Sequence, residues 1–155
     1  MTDWLTPSQQ RAWRALLAMN THLHARLARA LQDSSDLSYA DFAVLVELTE
    51  APDGRARISE LAALLQWERS RLSHHLKRME ARGHIERSSC PEDGRGQYVA
   101  VTPIGRSAIE QAAPSHVELV RELVFADISD AELQALTALS ERVLERLDQV
   151  PQKVT

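Results

Sequence analysis

The chain is poor in the residues that staple a fold or ligate metals. One cysteine, Cys90, among 155 residues excludes an internal disulfide and any cysteine-built metal cluster. Aromatic residues make up only 5% and glycines number five, while Ala and Leu abound, which favours helix over strand. No apolar run reaches the roughly 18 residues of a membrane span, so no membrane partner is expected. The opening MTDWLTPSQQ has neither a basic stretch nor an apolar core, so no signal peptide is expected. With the lone cysteine, this points to the cytoplasm.

Catalytic patterns are missing as well. There is no glycine-rich phosphate loop and no Gly-x-Ser-x-Gly elbow. The six histidines are scattered, and His22 and His24, two apart on a helix, project differently, unlike zinc ligands. The sequence therefore reads as a non-enzyme with no metal and no cofactor.

What is present is an uneven charge. The net value is −4, which by itself argues against a nucleic-acid partner. Residues 55–106, however, hold ten Lys/Arg against six Asp/Glu, and the remainder holds eight against sixteen. A basic middle between acidic ends suits a DNA-reading lobe on a solubilising scaffold.

Helix start signals are clear. Thr6-Pro7-Ser8-Gln9 combines an N-cap, a first-position proline and a capping-box glutamine, opening a long helix to about residue 33. Ser38 with Asp41 opens a second, ended by Ala51-Pro52-Asp53-Gly54. A short third helix begins at Ile58. A fourth spans residues 69–82 and stops at Gly83, where a left-handed cap is expected. Two strands follow, residues 85–88 and 97–101, joined by a Pro- and Gly-bearing loop. Thr102-Pro103 starts a long helix that Pro114 should kink or divide, and Ser129 with Glu132 caps the last. The fold class is mainly α (α+β): a winged helix-turn-helix lobe with a two-stranded wing, plus N- and C-terminal helices. The whole chain, residues 1–155, reads as one domain, with residues 37–102 as the lobe and 1–33 and 103–150 as dimerisation helices.

The fourth helix carries the chemistry. Its apolar stripe is narrow, Leu72, Leu76 and Met79 at i, i+4 and i+7. The remaining circumference belongs to Arg69, Ser70, Arg71, Ser73, His74, His75, Lys77, Arg78 and Arg82. Such a helix anchors one edge to a core and offers a cationic face to a major groove about 12 Å wide. Residues of its first turns, Arg69, Ser70, Arg71, Ser73 and His74, are placed to reach base edges. Lys77, Arg78 and Arg82 lie farther along and suit phosphates, which position rather than specify. Arg95, between Gly94 and Gly96, is placed at a loop tip that approaches a minor groove, and Asp93 can pair with it.

These segments resemble the MarR family of bacterial transcriptional regulators over nearly the whole chain. The resemblance rests on Ile58-Ser59-Glu60-Leu61-Ala62, on residues 69–80, on Gly83-His84-Ile85-Glu86-Arg87, and on Asp93-Gly94-Arg95. It is completed by Val99-Ala100-Val101-Thr102-Pro103-Ile104-Gly105-Arg106. It implies a homodimer with interlocking terminal helices. It also implies binding to pseudo-palindromic double-stranded operators, usually as a repressor, often with release by a small phenolic or other ligand.

Dimerisation has support from the residues themselves. Trp4, Leu5, Val117, Leu133, Leu136, Leu144 and Leu147 exceed what one small core needs, and a two-fold would set recognition helices about 34 Å apart. Polar groups on otherwise apolar faces, Asn20, His24 and His116, with Trp13 as a wall, are the candidates for a small aromatic or carboxylate effector. Two alternatives stay open. Cys90 can act as a redox sensor, its pKa lowered by nearby Arg87, although peroxide-sensing members of the family use a cysteine on the first helix. A protein-binding winged helix is the other, opposed by the cationic face because protein interfaces shed Lys from their core.

Overall fold

A computed structural model describes residues 4–89 and 96–149. Backbone packing divides the chain into two units, Met1–Glu118 and Leu119–Thr155. The first unit holds the core.

Helix α1 (Pro7–Ser34) starts on the expected capping box: Gln9 N–H donates to the Thr6 hydroxyl, and Thr6 N–H donates to Gln9 Oε1 at 2.8 Å. Its first half is exposed throughout, and only Leu27 and Leu31 are buried. Helix α2 (Tyr39–Glu50) is capped by Ser38 and Asp41 in the same reciprocal manner. It is the central helix, burying Phe42, Val44, Leu45 and Leu48.

A 3-10 turn at Pro52–Gly54 leads into strand β1 (Arg55–Arg57), which the sequence did not suggest. Arg-Ala-Arg carries no apolar alternation. It becomes a strand by pairing with β3 (Gln97–Val101), whose other edge takes β2 (Ile85–Ser89). The sheet is therefore three-stranded and antiparallel, in the order β1-β3-β2, rather than a two-stranded wing alone. Val99 is buried opposite Ala56 in that register.

Helix α3 (Ile58–Leu65) and helix α4 (Arg69–Ala81) form the helix-turn-helix. Between them Gln66 adopts a left-handed conformation (φ 52°), and its N–H and that of Trp67 donate to the carbonyls of Ala63 and Ala62. This Schellman closure reverses the chain within three residues. Helix α4 ends likewise: Gly83 (φ 79°) donates to Glu80 O and His84 N–H to Met79 O.

Helix α5 (Pro103–Val120) passes through Pro114 without a break, so the expected division does not occur there. One ladder bond is lost at Pro114, but Ala112 is fully buried and Ala113 packs on the core, while the Ser115 hydroxyl donates to Ala112 O. The departure from regular α geometry comes later, as a π turn at Arg121–Phe125. In the second unit, helix α6 (Asp130–Gln149) begins on the Ser129–Glu132 box.

The start of α5 is pressed against the end of α4. Thr102 donates its hydroxyl to Gly83 O and accepts from Gly105 N–H at 3.0 Å. A Cβ at Gly105 would stand 2.0 Å from the carbonyl oxygen of His84. Gly105→Ala is thus expected to destabilise the protein by at least about 2 kcal/mol, because backbone must move to admit one methyl. A urea melt that left the midpoint unchanged would contradict this contact.

Candidate nucleic-acid interface

Helix α4 has 13 residues, a length that is marginal for an isolated helix in water. Tertiary packing holds it. Leu72, Leu76 and Met79 are wholly enclosed, at 0% exposure each, and each contributes about 1.5–3 kcal/mol of transfer free energy as an upper bound. With that edge seated, Arg69, Ser70, Arg71, Ser73, His74, Lys77 and Arg78 all remain exposed. The cationic face expected from the sequence forms, with Arg82 exposed at its end, less one of its members.

His75 is the correction. It is buried, not part of the outward face. Its Nδ1 lies 2.9 Å from Arg78 Nη2. A guanidinium offers only donors, so Nδ1 accepts and the ring proton sits on Nε2. That nitrogen faces Asp41, 3.0 Å from Oδ1. Arg82 stays exposed, its side chain 41% accessible, but is tethered: its Nη2 lies 2.7 Å from the same oxygen, and its Nη1 donates to Asp36 O. Both contacts on Oδ1 are close but off the line of a hydrogen bond, so Arg82 acts on the carboxylate mainly through its charge and the neutral His75 ring through its Nε2–H dipole. Histidine at i+3 from Leu72 falls on the inner face once the helix is seated, whereas Arg82, past the last turn, reaches Asp41 with one nitrogen while staying exposed.

Asp41 is 1% exposed. Burial raises its pKa, but His75, Arg82 and the Ser38 amide and hydroxyl overcome this and hold the carboxyl well below the ordinary range. Each oxygen has a task. Oδ2 accepts from Ser38 N–H at 2.9 Å and caps α2, while Oδ1 meets the two cationic or donor groups of α4 and its C-cap.

The turn before α4 supplies residues that sequence reasoning passed over. Trp67 packs on the core, meets the His75 ring edge-on at 5.5 Å, and carries the Arg71 guanidinium 4.6 Å from its ring centroid. Arg55 and Arg57 of β1 both lie over the Tyr98 ring, at 5.1 and 5.7 Å. A groove of about 370 Å³ is lined by Arg57, Ile58, Ser59, Arg69, Ser73, Gly96 and Gln97, joining the base of the wing to the outward face of α4. The charge count over residues 55–106 contained Arg55 and Arg57, but only the unrecognised strand sets both over Tyr98 and brings Arg57 beside α4.

Arg95, Asp93 and Cys90 lie outside the described residues. Arg87, the group expected to activate Cys90, donates from Nε to Glu80 Oε2 at 2.9 Å and ties β2 to α4.

Of the effector candidates, two converge. His24 meets Tyr39 edge-on at 4.3 Å, and His116 lies 6.3 Å from Tyr39 and 4.6 Å from Phe42. His116 Nδ1 is enclosed without a hydrogen-bond partner among the described residues. Trp13 and Asn20 do not join them; both stand on the exposed first half of α1, and Trp13 is about 16 Å along the helix from His24. Tyr39 and Phe42 were not anticipated, because both fit an ordinary inner face. No group of three or more potential metal ligands occurs among the described residues, and none of their helices is long and apolar enough to cross a membrane.

A helix-turn-helix backed by an antiparallel sheet, with its second helix presenting a cationic face, defines a winged helix-turn-helix protein. The profile of the MarR family matches residues 35–96. The crystal structure of Sco3205, a MarR family transcriptional regulator from Streptomyces coelicolor in complex with DNA, is 35% identical and superposes with a TM-score of 0.91 over 99% of this chain and 95% of that one. AbsC, a MarR family transcriptional regulator of the same organism, is 34% identical with a TM-score of 0.91 over 96% of this chain and 100% of its own. The chain belongs to the MarR family. The HTH-type transcriptional repressor IacR of Pseudomonas putida is 30% identical over 116 residues, 73% of this chain. The chain spans 66% of that repressor's length, a little under two thirds.

Burial lowers the pKa of both His84 and His116, with Arg82 adding to the effect at His84. The unfolded chain therefore binds protons that the folded one refuses, and stability is full above the ordinary value of 6.5 and declines as pH falls below it. Asp41 loses its contribution only in strong acid, so comparing about pH 7.5 with about pH 5.5 isolates the histidines. Denaturant midpoints are expected to drop over that interval, and less so in His84→Asn and His116→Asn. Equal midpoints at the two values would contradict the assignment.

Proposed function

We propose that the protein is a homodimeric transcriptional repressor that binds a pseudo-palindromic double-stranded operator and is released from it by a small effector. The observation that carries the DNA reading is the partition of α4: three apolar side chains fully enclosed, and Arg69, Ser70, Arg71, Ser73, His74, Lys77 and Arg78 turned outward. The first turn reads base edges, Lys77, Arg78 and Arg82 meet phosphate, and Arg95 reaches the minor groove. Sco3205 was crystallised in complex with DNA, which supports the same use of this lobe. A regulator of this kind works beside the chromosome, in the cytoplasm, and needs no catalysis.

Residues 37–102 serve as the DNA-binding lobe, and residues 1–33 and 103–150 as dimerisation helices. The dimer is supported by apolar faces that each unit leaves uncovered. On and before α1 these are Trp4, Leu5, Trp13, Leu16, Leu17 and Met19, with Trp4 at 88% exposure. On α6 they are Leu133, Leu136, Leu139, Val143, Leu144 and Leu147. Patches of this extent mark association surfaces. The effector reading rests on His24, Tyr39, Phe42 and His116: an aromatic or carboxylate ligand would stack on the rings and satisfy the idle Nδ1 of His116. Trp13 and Asn20, on the exposed half of α1, would belong to that site only through the second protomer.

Two variants separate reading from positioning. Arg71→Ala is expected to weaken binding to the protein's own operator by about 1–3 kcal/mol while leaving scrambled duplex nearly unaffected. Lys77→Ala is expected to weaken both and to reduce the slope of log affinity against log salt by about one. Gel shifts across a salt series measure both, and wild-type affinity for the operator in Arg71→Ala would overturn its assignment to a base.

A further inference from the structure

We propose that Trp67, in the turn of the helix-turn-helix, is a positioning residue that sets the orientation of the base-reading Arg71. The inference rests on the DNA-binding reading of α4 and assigns a specificity role to a residue that does not itself face a groove.

The geometry is a column. Trp67, Arg71 and His75 follow one another at intervals of four, so on and just before α4 they stack along one side. The Arg71 guanidinium lies 4.6 Å from the Trp67 ring centroid, a distance at which the ring quadrupole attracts a cation. The Trp67 ring is itself held from two sides. It packs on the core cluster, and the buried His75 ring abuts it at 5.5 Å and 89°. His75 is in turn fixed by Arg78 on Nδ1 and Asp41 on the other side. An exposed arginine ordinarily samples many rotamers and must surrender that freedom when it clasps a base with two parallel hydrogen bonds. Here part of the loss is taken on folding, because the guanidinium lies over a ring that is packed against the core and braced by His75. Arg69, two residues earlier, has no such ring contact among the described residues. The column thus distinguishes one arginine of the outward face from its neighbours.

This role differs from support of the fold. If Trp67 only filled the core, its loss would lower affinity for every duplex alike. If it aims Arg71, its loss would erode discrimination between duplexes, and would do nothing further once Arg71 is gone.

The test uses the full-length protein and two probes: the duplex that wild type enriches from a randomised pool, and the same duplex with its bases scrambled. Trp67→Leu, which keeps apolar bulk without the ring, is expected to cut the preference for the enriched duplex by about fivefold. Binding to the scrambled duplex and the salt slope should stay near wild type, and Trp67→Phe should recover most of the preference. In an Arg71→Ala background, Trp67→Leu should have no added effect. Were Trp67→Leu to unfold, seen as a lost thermal transition, the same cycle run with Trp67→Phe and Trp67→Phe/Arg71→Ala decides the question at smaller amplitude. Equal losses on both duplexes, or an undiminished loss in the Arg71→Ala background, would overturn the positioning role while leaving DNA binding intact. A wild-type protein that enriches no duplex would overturn both.

Discussion

The orientation of the recognition helix depends on one buried carboxylate. Asp41 caps α2 with one oxygen and meets His75 and Arg82 with the other, so the start of the central helix and the last turns of α4 share a single anchor. An isolated buried carboxylate would be costly. This one is surrounded by donors on three sides, which is why it stays charged despite its enclosure. Because its partners belong to α4, the carboxylate converts general apolar packing into a specific rotation of that helix. The enclosed Leu72, Leu76 and Met79 bring α4 to the core, and the Asp41 contacts say which way it faces.

From that rotation the rest of the interface follows. With His75 turned inward, Arg71 and His74 turn outward, and Arg78 bridges the two sides by donating to the buried ring while remaining exposed. The sheet adds a second edge. Pairing of β1 with β3 sets Arg55 and Arg57 over Tyr98 and brings Arg57 to the groove it shares with Arg69 and Ser73. Tight closures at either end of α4, at Gln66 and Gly83, leave the helix little room to slide.

Helix α2 also joins two sites. Asp41 looks toward α4, while Tyr39 and Phe42, two residues before and one after, touch His24 and His116. A ligand that altered the aromatic contacts would act on the same helical turn that holds the carboxylate. Tyr39 and Phe42 sit at positions that any buried helix would fill with apolar rings, so nothing in their spacing marks them as a site.

The helices of this protein were legible because their boundaries are local chemistry. Thr6 with Gln9, Ser38 with Asp41, and Ser129 with Glu132 each satisfy helix-end amides within four residues, and folding elsewhere does not change that. The narrow stripe of Leu72, Leu76 and Met79, with the charge gathered around it, likewise marked the outward face of α4 in advance. Strand β1, the passage of α5 through Pro114, the inward turn of His75 and the tether of the exposed Arg82 to Asp41 were decided by tertiary structure. A three-residue strand exists only by virtue of its partner, a proline is tolerated where its neighbours are buried, and a polar ring points inward only if a distant carboxylate is there to receive it. Local sequence determines where a helix begins and which edge is greasy, because those energies come from residues a turn apart. Which polar groups meet inside depends on contacts dozens of residues away, and those exist only once the chain has folded.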